Sequence, residues 1–459
     1  MVSPKDRKGI CTPRLVAGAG LAPARLRGHV GTSRTQGTAM KPKILTTLRG
    51  YSGPDLAADM LAGMTVAMVA LPLSLAIAIA SGAPPATGLV TAIVGGFLVS
   101  ALGGSRVQIG GPTGAFIVVV YGIMAAHGLD GLVLATAMAG LILLGAGLLR
   151  AGSLVSYVPE PVINGFTIGI AAIIAISQLA DLMGLTLTHA SADLFEKIPA
   201  LWQARHTFSF AALATGLLTM LAITLLRRAF PRFPGLIIAV GGASAAVALA
   251  GLPVDTIAAR FGELPATLPV PHLPEITYAR LVELLPSALV IAFLAGVESL
   301  LSATVADRMT GHHHRPNAEV LAQGAANVGS ALFGGLPVTG AIARTATNIR
   351  AGGRTPVAGL AHAAMILGVM WLAAPLAGYL AMPALAALLI LTAWNMSEPH
   401  KWRGYLSGPR RDTALLLVTM VLTVAVDLTV AIATGTAIGL ALRLRAGKTE
   451  PEDFTPRDK

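Results

Sequence analysis

The chain has 459 residues, of which 54% are hydrophobic and only 12% are charged, with a net charge of +11. A soluble domain carries about 25% charged residues, so this composition excludes an ordinary water-soluble protein. The basic residues are dispersed in short stretches between apolar runs, which is typical of membrane topology signals and argues against nucleic-acid binding. A single cysteine, Cys11, leaves no intramolecular disulfide within these residues.

The first 39 residues are basic and rich in glycine and proline, and they lack the continuous apolar core of a secretory signal. We expect translation to begin at Met40, which makes residues 1–39 a mis-assigned start. The alternative is a disordered arm. Residues 1–54 as a whole are predicted to form an N-terminal cytoplasmic segment.

Apolar stretches of about membrane-spanning length recur along the rest of the chain. They fall at about 59–81, 86–102, 107–126, 131–149, 161–180, 207–227, 234–250, 284–306, 318–333, 336–350, 356–373, 376–396, 413–427 and 428–445. The sequence therefore predicts an all-α polytopic membrane protein with about fourteen transmembrane segments.

The positive charges alternate between the two sides of these segments. If the N-terminus is cytoplasmic, lysine and arginine should follow every second segment. The loops on that side and the flanking ends hold Lys41, Lys43, Arg49, Arg106, Arg150, Arg227, Arg228, Arg232, Arg308, Arg315, Arg350, Arg354, Lys401, Arg403, Arg410, Arg411, Arg443, Arg445 and Lys448. The opposite loops hold Lys197, Arg205, Arg260 and Arg280. Both termini are thus predicted to be cytoplasmic, in an inner (cytoplasmic) membrane.

The two longest predicted loops, at about 181–205 and 251–283, lie on the outer side. The second, an extracellular linker, separates a first transmembrane repeat at 55–250 from a second at 284–445, and a short cytoplasmic tail follows at 446–459. Each repeat holds seven segments. Because seven is odd, the second repeat enters the membrane from the opposite side, which predicts an inverted repeat.

Two apolar segments are interrupted in the same way, about half a chain apart. "QIGGPTGAFIVVV" at 108–120 and "LFGGLPVTGAIART" at 332–345 each place Thr-Gly-Ala after a Gly/Pro-rich break, at Thr113 and Thr339. Matched broken segments, here the third and tenth, indicate a transporter substrate site. Each break predicts a half-helix whose positive N-terminus suits an anion. The alternative is that both breaks are packing kinks.

Three polar residues within predicted segments are candidates for function. Glu298 lies deep in the eighth segment, where an ionisable side chain is costly, and Ser302 follows one helical turn later. Together they predict a proton carrier or a Na⁺ site, with a structural carboxylate as the alternative. Arg344 follows the tenth break and either faces the anion or snorkels to the cytoplasmic surface.

Other polar groups carry weaker signals. Gln108 is interpreted as an interhelical hydrogen bond. The run His312, His313 and His314 does not have the spacing of a metal site, and no metal is predicted beyond a possible Na⁺. Nucleotide-binding and hydrolase motifs are not found in this sequence, so an enzyme is the weakest interpretation.

Several stretches together resemble the SulP sulfate-permease family of inorganic anion transporters, from about residue 55 to 445. They are "ALPLSLAIAIASGAPPATGL", "GGSRVQIGGPTGAFI", "PEPVINGFTIGIA", "ESLLSATVADRMTG" and the long run at 316–359. The resemblance implies a moving core domain of segments 1–4 and 8–11 and a gate domain of segments 5–7 and 12–14. Family members usually end in a cytoplasmic STAS domain, and residues 446–459 are too few for one. The chain is therefore interpreted as a bacterial member without a STAS domain, either a natural short form or the product of a truncated gene.

The resemblance also implies which residues form the anion pocket and the coupling site. The implied pocket consists of Leu73, Ile77, Pro112, Thr113, Gly114, Ala115, Thr339, Gly340, Ala341 and Arg344. Glu298 matches the acidic position used for cation coupling, and Ser302 matches the hydroxyl of a sodium site in a bicarbonate-carrying branch.

The expected function is secondary active transport of a small inorganic anion, sulfate first and bicarbonate next. Transport is expected to be coupled to H⁺ or Na⁺, with no other cofactor, by alternating access of core and gate. The expected partners are the anion and the lipid bilayer, and a homodimer through the membrane domain is compatible with the resemblance. The alternatives are an uncoupled anion channel or exchanger, a dicarboxylate carrier and a nucleobase carrier.

Overall fold

The computed structural model describes residues 40–150, 152, 159–187, 194–230, 235–426 and 428–445. Within these ranges the chain consists of helices, their connections and two very short paired strands. The expectations about residues 1–39 and about the tail at 446–459 lie outside the described residues.

The first half of the described chain forms helices α1 to α11. They are α1 (Ile44–Thr47), α2 (Gly53–Ala80), α3 (Pro85–Val90), α4 (Gly96–Leu102), α5 (Ile117–Leu148), α6 (Glu160–Ser177), α7 (Leu179–Met183), α8 (Leu194–Gln203), α9 (Phe210–Ala229), α10 (Gly235–Ala250) and α11 (Ile257–Phe261). A π-helical turn, Thr91–Gly95, joins α3 to α4, and a 3-10 turn, Gly114–Phe116, leads into α5. The start of α2 is fixed by a capping box, in which Ser52 and Asp55 each accept the other's backbone N–H.

The second half forms helices α12 to α19. They are α12 (Tyr278–Thr310), α13 (Pro316–Leu332), α14 (Ile342–Arg350), α15 (Val357–Gly378), α16 (Met382–Met396), α17 (Trp402–Ser407), α18 (Arg410–Ala425) and α19 (Leu428–Arg445). The long helix α12 stops at Gly311, which takes a left-handed conformation with φ 71°. Pro316 then opens α13, at a position where its missing N–H has no intrahelical partner to lose.

Seven helical runs among the described residues are long and apolar enough to cross a bilayer. They are Gly53–Ala80, Pro85–Leu102, Gly114–Leu148, Glu160–Met183, Phe210–Ala229, Tyr278–Thr310 and Val357–Gly378. Other predicted segments coincide with shorter helices, among them α13, α14, α16 and α18. The count of fourteen crossings therefore stays a prediction. The third and fourth predicted segments share α5, which Gly128 interrupts with φ 65° and ψ −167°.

The two predicted outer loops contain short helices that the sequence analysis treated as loop. α7 and α8 lie in the first loop and α11 in the second. α8 exposes Phe195, Ile198 and Trp202 at a spacing of three and four residues, which is typical of a helix lying in a membrane interface. With 10 residues it is too short to be recognised as a span.

Small residues allow the long helices to approach closely. α5 packs against α13, α2 against α15 and α6 against α18. In the first pair, a Cβ added at Gly140 would lie 2.7 Å from the Val328 nitrogen and 2.8 Å from the Gly324 oxygen. Because these neighbours are backbone atoms, only glycine fits this contact, as is common between helices in lipid.

Two short, buried strands pair between the two halves of the chain. β1 (Gly110–Gly111) pairs antiparallel with β2 (Thr339–Gly340), so that Gly110 faces Gly340 and Gly111 faces Thr339. The Ala341 nitrogen extends this pairing by donating to the Ile109 oxygen at 2.8 Å. The pairing brings the start of α5 beside the start of α14. We call this region the strand crossing.

Candidate functional site

Two helices begin at the strand crossing without a side-chain cap. Thr113 precedes the 3-10 turn that leads into α5, and Ala341 precedes α14, and neither side chain accepts a hydrogen bond from its own helix. The first N–H groups of a helix have no partner within the helix, and a side-chain cap satisfies some of them where one is present. The partial positive charge of these two starts is therefore available to an anion placed beside them.

The extended backbone on either side of the strand crossing is satisfied by side chains. Asn327 both donates to the Val338 oxygen and accepts from the Val338 nitrogen, each at 2.9 Å. On the other strand, Asn348 donates to the Val107 oxygen at 2.8 Å, and the Ile109 nitrogen donates to Thr345 Oγ1 at 3.1 Å. Non-helical backbone at membrane depth needs such partners, because lipid offers none.

Glu298 lies at one of the two helix starts. It projects from α12, is partly buried, and its Oε2 accepts a hydrogen bond of 2.8 Å from Thr113 Oγ1. The acidic residue and the third-segment break, which the sequence analysis identified separately, are thus in direct contact. A carboxyl in this position can change its charge next to any ligand bound at the start of α5.

Ser302 has a different partner from Glu298. Its hydroxyl is buried and donates to Thr345 Oγ1 of α14 at 3.2 Å. Glu298 and Ser302 share no hydrogen-bond partner in the described part of the chain. Ser302 therefore ties α12 to α14 behind the strand crossing, whereas Glu298 faces the start of α5.

Arg344 is buried inside the protein and does not reach a surface. Only 1% of the residue is exposed, and its Nη2 donates to Ser74 Oγ of α2 at 3.1 Å. Its Nε and Nη1 are buried without a hydrogen-bond partner. A Cβ on Gly111 would overlap Nη1, so the guanidinium lies directly against β1. Of the two alternatives left open by the sequence, the structure shows the interior position.

The other residues of the predicted pocket lie on α2, between β1 and α5, and at the start of α14. Leu73, partly buried, and Ile77, buried, flank Ser74 on α2; Pro112, Gly114 and Ala115 are buried between β1 and α5; Gly340 and Ala341 are buried at the start of α14. Thr339 is fully buried, and its hydroxyl donates a hydrogen bond to the Ala295 oxygen at 2.9 Å. Its contribution to the site is therefore structural in this conformation.

A buried carboxylate that the sequence analysis missed supports the strand crossing. Glu319 of α13 is fully buried, and its Oε1 accepts from Ser299 Oγ at 3.0 Å and from Gln323 Nε2 at 3.1 Å. Its Oε2 accepts from the backbone nitrogens of Gly104 and Ser105 at 2.8 and 3.2 Å. Ser299 also accepts from Gln108 Nε2 at 2.8 Å. Gln108 lies in the extended chain before β1, so this bond joins that chain to α12 and is not between two helices. The sequence signal for this buried cluster was Glu319, four positions before Gln323 at the start of the predicted segment at 318–333.

The three consecutive histidines have separate partners. His312 Nε2 lies 3.1 Å from Arg106 Nη1, the His313 oxygen accepts from Lys43 Nζ at 2.8 Å, and His314 Nδ1 lies 2.7 Å from Asp307 Oδ2. The described residues contain no group of three or more metal-ligating side chains. These histidines are part of a polar surface in the link between the end of α12 and the start of α13.

Together these features define a class of protein. Long helices carry outward-facing apolar side chains, such as Leu218, Leu221 and Leu225 on α9, each more than half exposed. Such faces require lipid. Inside the protein, short extended segments interrupt the helices beside a buried arginine, an acidic residue and two helix starts without a side-chain cap. This is the architecture of a membrane transporter.

Comparisons with known proteins identify the family. A model of the sulfate permease family matches residues 56–419. The chain is 40% identical over 399 residues to the putative sulfate transporter YvdB of Bacillus subtilis, covering 86% of this chain and 75% of that protein. It is 33% identical over 403 residues to the bicarbonate transporter BicA of Synechocystis, with coverages of 85% and 70%. The chain therefore belongs to the sulfate permease family, whose members are transporters and not enzymes.

Solved structures agree with this assignment. The transmembrane domain of a cyanobacterial bicarbonate transporter, BicA, matches with a TM-score of 0.74 and 30% identity, covering 85% of this chain and 98% of that one. The murine anion transporter Slc26a9 in its inward-facing state matches with a TM-score of 0.82, covering 95% of this chain and 77% of that one. Because its identity is 18%, this second match supports the fold alone.

Proposed function

We propose that the chain is a secondary active transporter of a small inorganic anion, with sulfate as the first substrate and bicarbonate as the second. One observation carries this proposal: the buried guanidinium of Arg344 has two nitrogens without a partner and no carboxylate within 4 Å among the described residues. An unpaired buried charge is costly. A bound anion supplies the missing counter-charge.

The proposed anion lies between the starts of α5 and α14, close to Arg344. Sulfate and bicarbonate present oxygen atoms that accept from backbone N–H groups and from a guanidinium. The side chains at the breaks are Thr113, Ala115 and Ala341, which offer few groups for reading the edges of a nucleobase. The site therefore favours a compact oxyanion over a nucleobase, and a dicarboxylate is the remaining carrier alternative.

Glu298 is the proposed coupling residue. It contacts Thr113 at the start of α5, so its charge opposes that of a neighbouring anion. Protonation of Glu298, or a Na⁺ ion beside it, removes this repulsion when the anion binds. An acidic residue at this position favours coupled transport over an uncoupled channel, because a passive anion pathway gains nothing from an acidic neighbour; exchange remains an alternative.

The proposed movement follows from an inverted repeat of seven plus seven segments. In this proposal the part of α5 before Gly128 and the helix α14 are the half-helices of broken segments three and ten, and the core that holds them slides against the gate. The alternating positive charges support cytoplasmic termini in the inner membrane. A homodimer through the membrane domain is compatible with this arrangement.

Uptake into proteoliposomes tests the substrate and the coupling together. Labelled sulfate and bicarbonate are offered separately, each under an inward proton gradient or an inward sodium gradient. We expect uphill accumulation of sulfate under one gradient and its loss in Glu298→Gln. Glu263→Gln, an exposed carboxylate in the loop after α11, is the matched control and should transport normally.

Each result selects between the alternatives. Bicarbonate accumulation driven by sodium would make bicarbonate the substrate, in agreement with the name of the BicA relatives. Uphill transport that persists in Glu298→Gln would refute the coupling role of Glu298. Anion flux that only follows its own gradient would establish the channel.

A further inference from the structure

A cavity lies away from the strand crossing and opens to the surface. Its volume is about 440 Å³, and it is lined by residues of α1, the start of α2, the chain before β1, the end of α12 and the link between α14 and α15. Its charged and titratable lining residues are Tyr51, Asp55, Arg106, His312 and Arg354. None of the residues of the strand crossing that contact Arg344 or Glu298 lines this cavity.

Positive charge dominates the cavity and its rim. Arg106 has the ring of His312 as its partner at 3.1 Å and no carboxylate within 4 Å in the described ranges. On the opposite wall, Arg354 Nη1 pairs with Asp55 Oδ1 at 2.8 Å, which leaves its other nitrogens free of a carboxylate. Beside the cavity, Lys43 and Arg315 donate to backbone oxygens and not to acidic groups.

Two groups at the cavity have a lowered pKa, to which the neighbouring positive charges contribute after burial. Burial, followed by repulsion from Arg315 and Arg106, lowers the pKa of the Lys43 ammonium. Burial, followed by repulsion from Arg106 and Lys43, lowers the pKa of the His312 ring. Asp307 opposes both shifts without reversing them. An anion in the cavity would relieve this repulsion.

The wall that carries Arg354 is held in place by a buried carboxylate. Asp59 of α2 is fully buried and accepts from the backbone nitrogens of Arg354 and Thr355 at 2.7 and 3.1 Å. It also accepts from the hydroxyls of Tyr51 and Thr355. The backbone of Arg354 is thus held in place before any ligand arrives, which reduces the entropy lost on binding.

We propose that this cavity is a second anion site, which binds a tetrahedral oxyanion, free or as part of a small phosphorylated molecule, between Arg106 and Arg354. The volume falls within the range of small-molecule sites, and guanidinium groups pair well with phosphate oxygens. The positive charges around the cavity lie on the proposed cytoplasmic side, so the ligand comes from the cytoplasm. Only the cytoplasmic origin of the ligand depends on the proposed orientation of the chain in the membrane.

Calorimetric titration of the purified full chain in neutral detergent with pyrophosphate tests the proposal. We expect the wild-type chain to bind one pyrophosphate. Arg106→Gln and Arg354→Gln should each raise the dissociation constant about tenfold or more, since each removes a charge-assisted contact. Arg228→Gln, an exposed arginine at the end of α9, should bind as the wild type does.

Two further comparisons separate this site from the proposed transport site. Arg344→Gln should leave pyrophosphate binding unchanged, whereas sulfate uptake should be lost in this variant. The melting curve of Arg354→Gln should match the wild type, because the Arg354 side chain is 61% exposed. The proposal is overturned if wild type gives no binding, if both cavity variants bind normally, if Arg228→Gln binds as weakly as they do, or if Arg344→Gln abolishes pyrophosphate binding.

Discussion

Gly111 is the position where one added methyl group tests the geometry of the anion site. A Cβ there would overlap Arg344 Nη1, and the backbone φ of +153° is one that residues with a side chain rarely adopt. Gly111→Ala should therefore push the guanidinium away from β1 and weaken its hydrogen bond with Ser74. The helix α5 that follows should remain folded, because the change lies before its first turn.

The expected size of the effect follows from the contacts that are lost. A hydrogen bond to a charged group contributes about 1.5–3 kcal/mol, and an unfavourable backbone conformation costs about 1–3 kcal/mol. If the free energy of anion binding is weakened by the amount of one charged hydrogen bond, the affinity falls roughly 10- to 100-fold, at about 1.4 kcal/mol for each tenfold change. Sulfate uptake in proteoliposomes should show this as a raised KM.

Gly122→Ala provides the control, since a Cβ added at Gly122, in α5 just after the break, meets nothing within 4 Å. It should leave the KM unchanged. A double variant with Ser74→Ala should show a combined effect smaller than the sum of the two single effects, because both act on Arg344. Normal sulfate affinity in Gly111→Ala would refute the placement of Arg344 in the anion site.

Three further predictions concern stability, each measured by thermal melting of the purified chain in detergent. Gly140→Ala should lower the melting temperature by an amount equivalent to about 1–3 kcal/mol, since its Cβ meets backbone of α13, whereas Gly145→Ala, which meets nothing within 4 Å, should not. Glu319→Ala should destabilise strongly, because it leaves four buried donors unpaired at about 1–3 kcal/mol each; an unchanged melting temperature would contradict its structural role. Burial and the hydrogen bond to Asp59 raise the pKa of Tyr51 to about 12, so its neutral form stabilises the fold below the ordinary pKa of about 10, and this contribution is lost as pH rises through about 12. Tyr51→Phe should lose less stability than the wild type across that interval, and equal losses would refute the assignment.

The sequence predicted the membrane class and the family, and both are confirmed. Long apolar runs and dispersed cations are local features, and one linear pattern is enough to recognise them. The positions of the breaks were also local, because glycine and proline mark them at 110–114 and 334–337. The placement of extended chain before α5 and α14 follows from these residues.

The partners inside the site were not predictable from a single sequence. Ser74 and Arg344 are separated by 270 residues, and Glu319 and Gly104 by 215. Such contacts depend on which helices pack together, and hydrophobic periodicity does not encode this in a chain that is apolar on most faces. The short helix α8 was missed for a different reason, since a helix lying in the interface lacks the length of a span.

The side chains that satisfy the strand crossing have a consequence for how access to the site can change. Asn327, Asn348 and Thr345 fix the extended backbone on both sides, and breaking any of these buried hydrogen bonds costs about 1–3 kcal/mol. Bending at the breaks would break several of them at once. We therefore expect the strand crossing to move as one rigid unit with α13 and α14, and the surrounding helices to be displaced past it. The two stretches of glycine and proline at the breaks would then be braced against bending and would not act as hinges.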